Sequence, residues 1–270
     1  MDEHDLPAGM PTRLPHQLDV DLLQASLAGM RLGNPLIYFP TIPSTNSHAA
    51  GLAREGAIEG TLVTTDDQTA GRGRVGRPWK ALPGQMLALS LVLRPTFPPH
   101  YLVMAAALAV AEAIEQVTNL RPGIKWPNDV LVGERKVCGI LIEVSDGVAI
   151  LGIGLNVNGS FAHDPDLAAR AITLEQAAGH QVSRESLLRE LLRRLESLYG
   201  LLQAAGNEEA QNTVRNRWRA RLSMLGQRVT VRQDPGALAG VAEDVTAEGA
   251  LLVRLDDGTR RTISWGDVES

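Results

Sequence analysis

The segment Gln68-Thr-Ala-Gly-Arg-Gly-Arg-Val-Gly-Arg-Pro-Trp79 constrains the fold more than any other stretch of the chain. It interleaves three arginines, Arg72, Arg74 and Arg77, with three glycines, Gly71, Gly73 and Gly76. Glycines admit positive φ and let backbone N–H groups turn toward a ligand, while guanidinium groups add planar fixed charge, so the loop is suited to wrap an anion. The glycines also satisfy G-x-G-x-x-G, which in a dinucleotide-binding fold opens a helix and precedes an acidic residue by about 20 positions. Pro78, Pro83 and Gly84 block that helix, and no carboxylate stands between Arg94 and Pro99. A phosphate-binding P-loop fails too, because Arg77-Pro78 stands where Lys-Ser/Thr is required. Taken alone, the segment is either an anion loop of another fold or a solvated basic loop.

The rest of the chain narrows the class. At 270 residues it can hold one large and one small domain. Its net charge of −5 gives no global field toward nucleic acid or an anionic membrane, so an anion site must be local. Cys138 is the single cysteine, which excludes an internal disulfide framework and a cysteine-based zinc site and suits a reducing compartment. The start, Met-Asp-Glu-His-Asp, has no signal-like apolar run, and the most apolar stretch, about Tyr101 to Ile114, reads as too short for a bilayer. A cytoplasmic protein with no membrane partner is the expectation.

Periodicity supplies the elements. Residues 1 to about 17 are Pro-rich and polar and are expected to be partly disordered; with a short helix over Asp19 to Ala28 they make residues 1–35 an N-terminal extension. Strands are expected at Leu36 to Phe39, Thr61 to Thr65, Met86 to Leu93, Gly123 to Lys125, Val130 to Val132, Lys136 to Val144 and Val148 to Leu155, the last two joined by a Ser145-Asp146-Gly147 hairpin. Helices are expected from a Ser44 or Thr45 cap to about Arg54, over His100 to Val117, over the leucine-striped Ser183 to Ala205, and over Glu208 to Leu225. Gly159 to Arg170 reads as a mobile loop. Short alternating runs beyond Gly226 read as a small β-barrel. The fold class is α+β, a mixed β-sheet domain with flanking helices over 36–224 and the barrel over 225–270.

Four further segments carry polar chemistry. Lys125-Trp-Pro-Asn-Asp129 crowds a cation, a ring, an amide and a carboxylate after a strand, which fits either a ligand-binding strand mouth or a polar turn. Lys136 opens an otherwise apolar strand, as a site lysine or a snorkelling one. Gly152-Ile-Gly-Leu-Asn156-Val-Asn158 permits close backbone approach at its glycines. Ser44-Thr45-Asn46 offers hydroxyl and amide groups to a neutral polar ligand.

Together, and in this order, these segments strongly resemble the bacterial biotin protein ligases, the biotin–acetyl-CoA-carboxylase ligases, over about residues 36–270. The resemblance implies a catalytic domain followed by an SH3-like C-terminal domain, and a two-step reaction. Biotin and ATP give biotinyl-5′-AMP, and a lysine of a biotin carboxyl carrier protein then takes the biotinyl group. Carried over, Ser44, Thr45, Asn46, Gln68, Gly71, Arg72, Gly73, Arg74 and Lys136 would bind biotin, and Arg72, Arg74, Arg77, Trp79, Asn128, Lys136 and Asn156 the adenylate. Lys136, Arg74 and Asp129 would be catalytic, Asp129 either orienting the incoming amine or accepting its proton. Mg²⁺ would arrive with ATP and need no dedicated protein cage.

Two positions depart from the family pattern: Ala171 precedes Ile-Thr-Leu where an aromatic residue often covers adenine, and Val75 replaces a frequent arginine. Among other readings, a lipoate ligase shares the fold and acyl-adenylate chemistry, but the intact Gly/Arg loop and C-terminal unit favour biotin. A DNA-binding repressor is disfavoured, since residues 1–35 hold one helix candidate and only Arg13 and Arg31, so a monofunctional ligase with no DNA partner is expected. A non-catalytic SH3-type module would leave the arginine loop unexplained. Exposed strand edges would allow a homodimer.

Overall fold

The computed structural model describes residues 16–204, 208–233 and 236–269; the disorder expected at the start of the chain falls on 1–15, outside the described residues. The larger sheet is built from β1 (Leu36–Ile42), β2 (Leu62–Gln68), β3 (Leu87–Leu93), β4 (Gly123–Lys125), β5 (Asp129–Val132), β6 (Arg135–Ser145) and β7 (Val148–Leu155). Its seven strands lie in the order β1-β2-β3-β7-β6-β5-β4. β1 and β2 run parallel, joined as that geometry demands by a crossover helix, α2 (Thr45–Arg54), capped by Ser44; the other ladders are antiparallel.

β3 shows how the faces divide. Leu87, Leu89, Leu91 and Leu93 alternate into the main core, which they share with α3 (Pro99–Thr118) and α6 (Arg184–Gln203), while Ala88, Ser90 and Val92 face the other way. On that other face α2 packs through Ala49 against Val63, Val92 and Ile150. Beyond α2 the face carries Ala88, Ser90, Gly139, Gly152 and Gly154, which are too small to fill it, and this leaves a hollow. The apolar stretch read as too short for a bilayer belongs to a 20-residue helix that is long and apolar enough by length; it is the core helix, with 72% of its apolar window buried.

Several expectations are revised by packing. α1 (Val20–Ser26) and its neighbours do not hang off the fold, since Leu18, Leu23, Leu27 and Leu32 enter the main core. The segment read as a mobile loop contains α4 (Pro165–Arg170), started by the Asp164 cap and Pro165 in the first turn, and α5 (Leu174–Ala178) follows. α7 (Glu208–Arg219) stops before Leu225 because the chain leaves it to cover the edge of β4, with Ile124 N–H donating to Arg221 O (2.8 Å) and Ser223 N–H to Ile124 O (3.0 Å).

The C-terminal unit is β8 (Arg228–Gln233), β9 (Gly236–Val245), β10 (Leu251–Arg254), β11 (Arg260–Ile263) and β12 (Asp267–Glu269). The expected closed barrel is corrected to an open antiparallel sheet of five strands, ordered β11-β10-β9-β8-β12. Its edge strands β11 and β12 pair with β10 and β8 and, among the described residues, not with each other. Val229, Val231, Ala242, Leu251 and Val253 belong to the same core as the larger sheet.

Candidate active site

The hollow is roofed by the Gly/Arg loop to form a cleft of about 180 Å³. Its floor is a cross-strand glycine pair, Gly139 on β6 opposite Gly154 on β7, and the Trp79 indole lies directly on it. A Cβ on Gly154 would stand 2.6 Å from the indole and one on Gly139 2.9 Å from it. The indole N–H is buried and has no hydrogen-bond partner among the described residues. Within the loop, Gly76 takes positive φ (70°), and so does Val75 (54°), a strained conformation for a β-branched side chain. Gly71 serves close approach instead: a Cβ there would meet Gln68 Nε2 at 2.5 Å and Trp79 O at 2.8 Å.

One end of the cleft is neutral and polar. Gln68 Oε1 accepts from Thr45 N–H (2.9 Å) and from Thr45 Oγ1 (3.0 Å). Beneath them the buried Ser90 hydroxyl lies 2.8 Å from Thr45 Oγ1 and 2.5 Å from Asn46 Oδ1. The other end is ionic, with Lys136 Nζ 2.7 Å from Asp129 Oδ1 and 5.3 Å from the centre of the Trp79 ring. An ammonium group has three N–H donors, so the pair with Asp129 leaves capacity for an anionic ligand.

Lys136 reaches this face because of a bulge. Val130 pairs with Cys138 but Leu131 pairs with Lys136, so Val137 is an extra residue on β6. Strict alternation would send Lys136 to the core face with Cys138 and Ile140; the bulge turns it to the side of Gly139, where an added Cβ would lie 3.0 Å from its Nζ. Cys138 stays on the core face, and burial pushes its thiol far above the ordinary range despite nearby Lys136, so it is no nucleophile.

The three arginines fan out to three anchors. Arg72 donates to Ser47 Oγ (3.2 Å) and pairs with Glu143 (3.2 Å), Arg74 donates to Asn128 Oδ1 (2.9 Å), and Arg77 pairs with Asp267 of the C-terminal sheet. The structure thus gathers Ser44, Thr45, Asn46, Gln68, Arg72, Gly73, Arg74, Arg77, Trp79, Asn128, Asp129 and Lys136 around one cleft. Gly71 and Asn156 lie behind its walls. The Asn156 amide donates to Lys136 O (3.2 Å) and Ile172 O (3.3 Å), bracing the backbone that carries Lys136. Ser90, Glu143 and Asp267 escaped the sequence reading. Ser90 had a signal, a hydroxyl within the apolar β3, whereas Asp267 is 190 residues from its partner and had none. Among the described residues, no group of three or more His, Cys, Asp or Glu side chains comes together to hold a metal.

Residues 38–160 match the biotin/lipoate A/B protein ligase family, and residues 224–269 match the biotin protein ligase C-terminal domain. The chain is 35% identical over 268 residues to the biotin–[acetyl-CoA-carboxylase] ligase of Mycobacterium tuberculosis, covering 95% of this chain and 97% of that one. It is 34% identical over 264 residues to the bifunctional ligase/repressor BirA of Bacillus subtilis, covering 94% of this chain and 80% of the relative. Among solved structures, the biotin protein ligase of Aquifex aeolicus in complex with biotin and ATP superposes with a TM-score of 0.76 at 28% identity, over 86% of this chain and 97% of that one. Bulge-placed lysine, arginine loop and glycine floor therefore sit in a chain that belongs to the biotin protein ligase family.

Proposed function

We propose that this biotin ligase forms biotinyl-5′-AMP from biotin and ATP at the Lys136 end of the cleft, then passes the biotinyl group to a lysine of a biotin carboxyl carrier domain. The observation that carries the assignment is the polarity of the cleft: a neutral end around Thr45 and Gln68, an aromatic slab on a glycine floor, and a cationic end at Lys136. Biotin has the same order of parts, an uncharged ureido ring, an apolar chain and a carboxylate. In this reading the ring meets Ser44, Thr45, Asn46 and Gln68, the chain runs beside Trp79, and the carboxylate reaches Lys136.

In the first step a carboxylate oxygen attacks the α-phosphorus and the bond to pyrophosphate breaks. Two anions must meet, and Lys136 with Arg74 and Arg77 offsets their repulsion. In the second step the acceptor amine attacks the acyl carbon and AMP leaves. That amine must be neutral, and Asp129, beside Lys136, is placed to orient it or take its proton. Asn128 holds Arg74, and Asn156 acts through the Lys136 backbone. Magnesium brought with ATP would rest on phosphate oxygens and water, since among the described residues no three His, Cys, Asp or Glu side chains come together to hold it.

The test is biotin-dependent exchange of labelled pyrophosphate into ATP, with lipoate and octanoate in parallel. Exchange with biotin alone is expected, and Lys136→Ala is expected to lower it on the order of 10²-fold or more in a folded protein. Exchange with lipoate but not biotin would overturn the substrate, and full activity of the variant would overturn the role of Lys136.

A further inference from the structure

Glu143 stands on β6 on the same face as Gly139 and Leu141 and is bonded to two residues of the cleft lining, Asn46 and Arg72. Its Oε2 accepts from Asn46 Nδ2 (2.8 Å) and from Arg72 Nη2 (3.3 Å), and its Oε1 lies 3.2 Å from the same guanidinium nitrogen. Asn46 is buried in the cleft wall at 5% exposure, while the Glu143 side chain is 39% exposed.

A carboxylate only accepts hydrogen bonds, so Glu143 decides which way the Asn46 amide points. Nδ2 must face Glu143 and Oδ1 must face the Ser90 hydroxyl; the flipped amide would set an oxygen against the carboxylate. The Ser90 hydroxyl then donates to that Oδ1 (2.5 Å), while Gln68 Oε1 is held separately by the Thr45 backbone N–H (2.9 Å). Gln68 Oε1 is already taken by Thr45, which leaves its Nε2 end as the donor. One carboxylate thus sets the direction of the Asn46 amide and of the Ser90 hydroxyl beneath it. The same carboxylate keeps Arg72 beside α2, away from the Lys136 end.

We propose that Glu143 is a positioning residue for the first half-reaction: it fixes the direction of the Asn46 amide in the wall of the neutral end and holds Arg72 there, and so sets the affinity for biotin without entering the chemistry. The proposal rests on the assignment of that end to the biotin ring.

Glu143→Gln is the informative variant, because its amide is isosteric, can donate as well as accept, and carries no charge for Arg72. In pyrophosphate exchange the KM for biotin is expected to rise about tenfold, the size of one charge-assisted hydrogen-bonding unit, with kcat and the KM for ATP changing by less than about twofold. Calorimetric titration with biotin alone should show the same loss. Combined with Arg72→Gln, the effect on biotin affinity should be smaller than the product of the two single effects, as for groups acting as one unit. An unchanged KM for biotin, parallel losses in the biotin and ATP parameters, or effects that multiply would each overturn the proposal. Absence of biotin-dependent exchange in the unsubstituted protein would instead overturn the assignment beneath it.

Discussion

A Cβ placed on Gly154 would lie 2.6 Å from Trp79 Cε2 and 2.9 Å from its Nε1, closer than side chains come. The backbone below cannot retreat, because Gly154 is held between Ala88 of β3 and Gly139 of β6 in two antiparallel ladders. The indole must therefore shift. Gly154→Ala is expected to fold with a loss of roughly 1–3 kcal/mol, the usual cost of overpacking, and to bind biotin more than about tenfold less tightly because the slab no longer sits on its floor. Thermal melting and a biotin titration measure the two effects separately, and undiminished binding would show that Trp79 is no part of the wall. Gly71 obeys the same steric logic one layer back, whereas Gly76 is needed for its positive φ.

The helical elements carry an acid-sensitive charge network. α6 begins at the Ser183 cap and buries Leu187, Leu188, Leu191, Leu192, Leu195 and Leu198, and its flank holds Glu190 against Arg193 and Arg194. Hydrogen bonds from Arg193, opposed by desolvation and helped by Arg194, hold the Glu190 carboxyl down to about 2, against an ordinary 4.5. A carboxylate whose folded pKa is depressed contributes stability that is full above the unfolded value and fades as pH falls through the folded one. That window runs from about 4.5 down to about 2. Glu190→Gln should flatten the decline of denaturant stability across it, and superimposable pH profiles for variant and parent would contradict this. Arg184, at the start of the same helix, is buried against Asp66 of β2 and also donates to Met86 O (3.1 Å), joining α6 to the strands that flank the anion loop.

Across the whole molecule, the C-terminal sheet braces the cleft from outside. Arg77 of the loop pairs with Asp267 of β12, and Trp126 Nε1 donates to Gly249 O (2.8 Å). Both partners of the Arg77–Asp267 pair are largely exposed, so it is worth roughly 0–1 kcal/mol to global stability. Its expected effect is local: Asp267→Asn should leave the melting temperature nearly unchanged and speed protease cleavage between residues 71 and 79. Equal cleavage rates would mean that the Arg77–Asp267 pair does not hold the loop. Local pattern was enough to read most of this chain in advance. The alternation of β3, the apolar period of α3, the leucine stripe of α6, the Ser44 cap and the composition of the Gly/Arg loop are short-range properties, and the structure keeps each within a few residues of its expected place. Partners and facing were not written locally. The side on which Lys136 emerges depends on a bulge that exists only in register with β5; Glu143, Ser90 and Asp267 join the site through ladders that bring distant segments together. The open C-terminal sheet has the same alternation that a closed barrel would have. The sequence by itself determined the elements and the chemical types at the cleft, because propensity and periodicity act over a few residues; strand pairing, which acts across the chain, decided which way those groups point and what they touch.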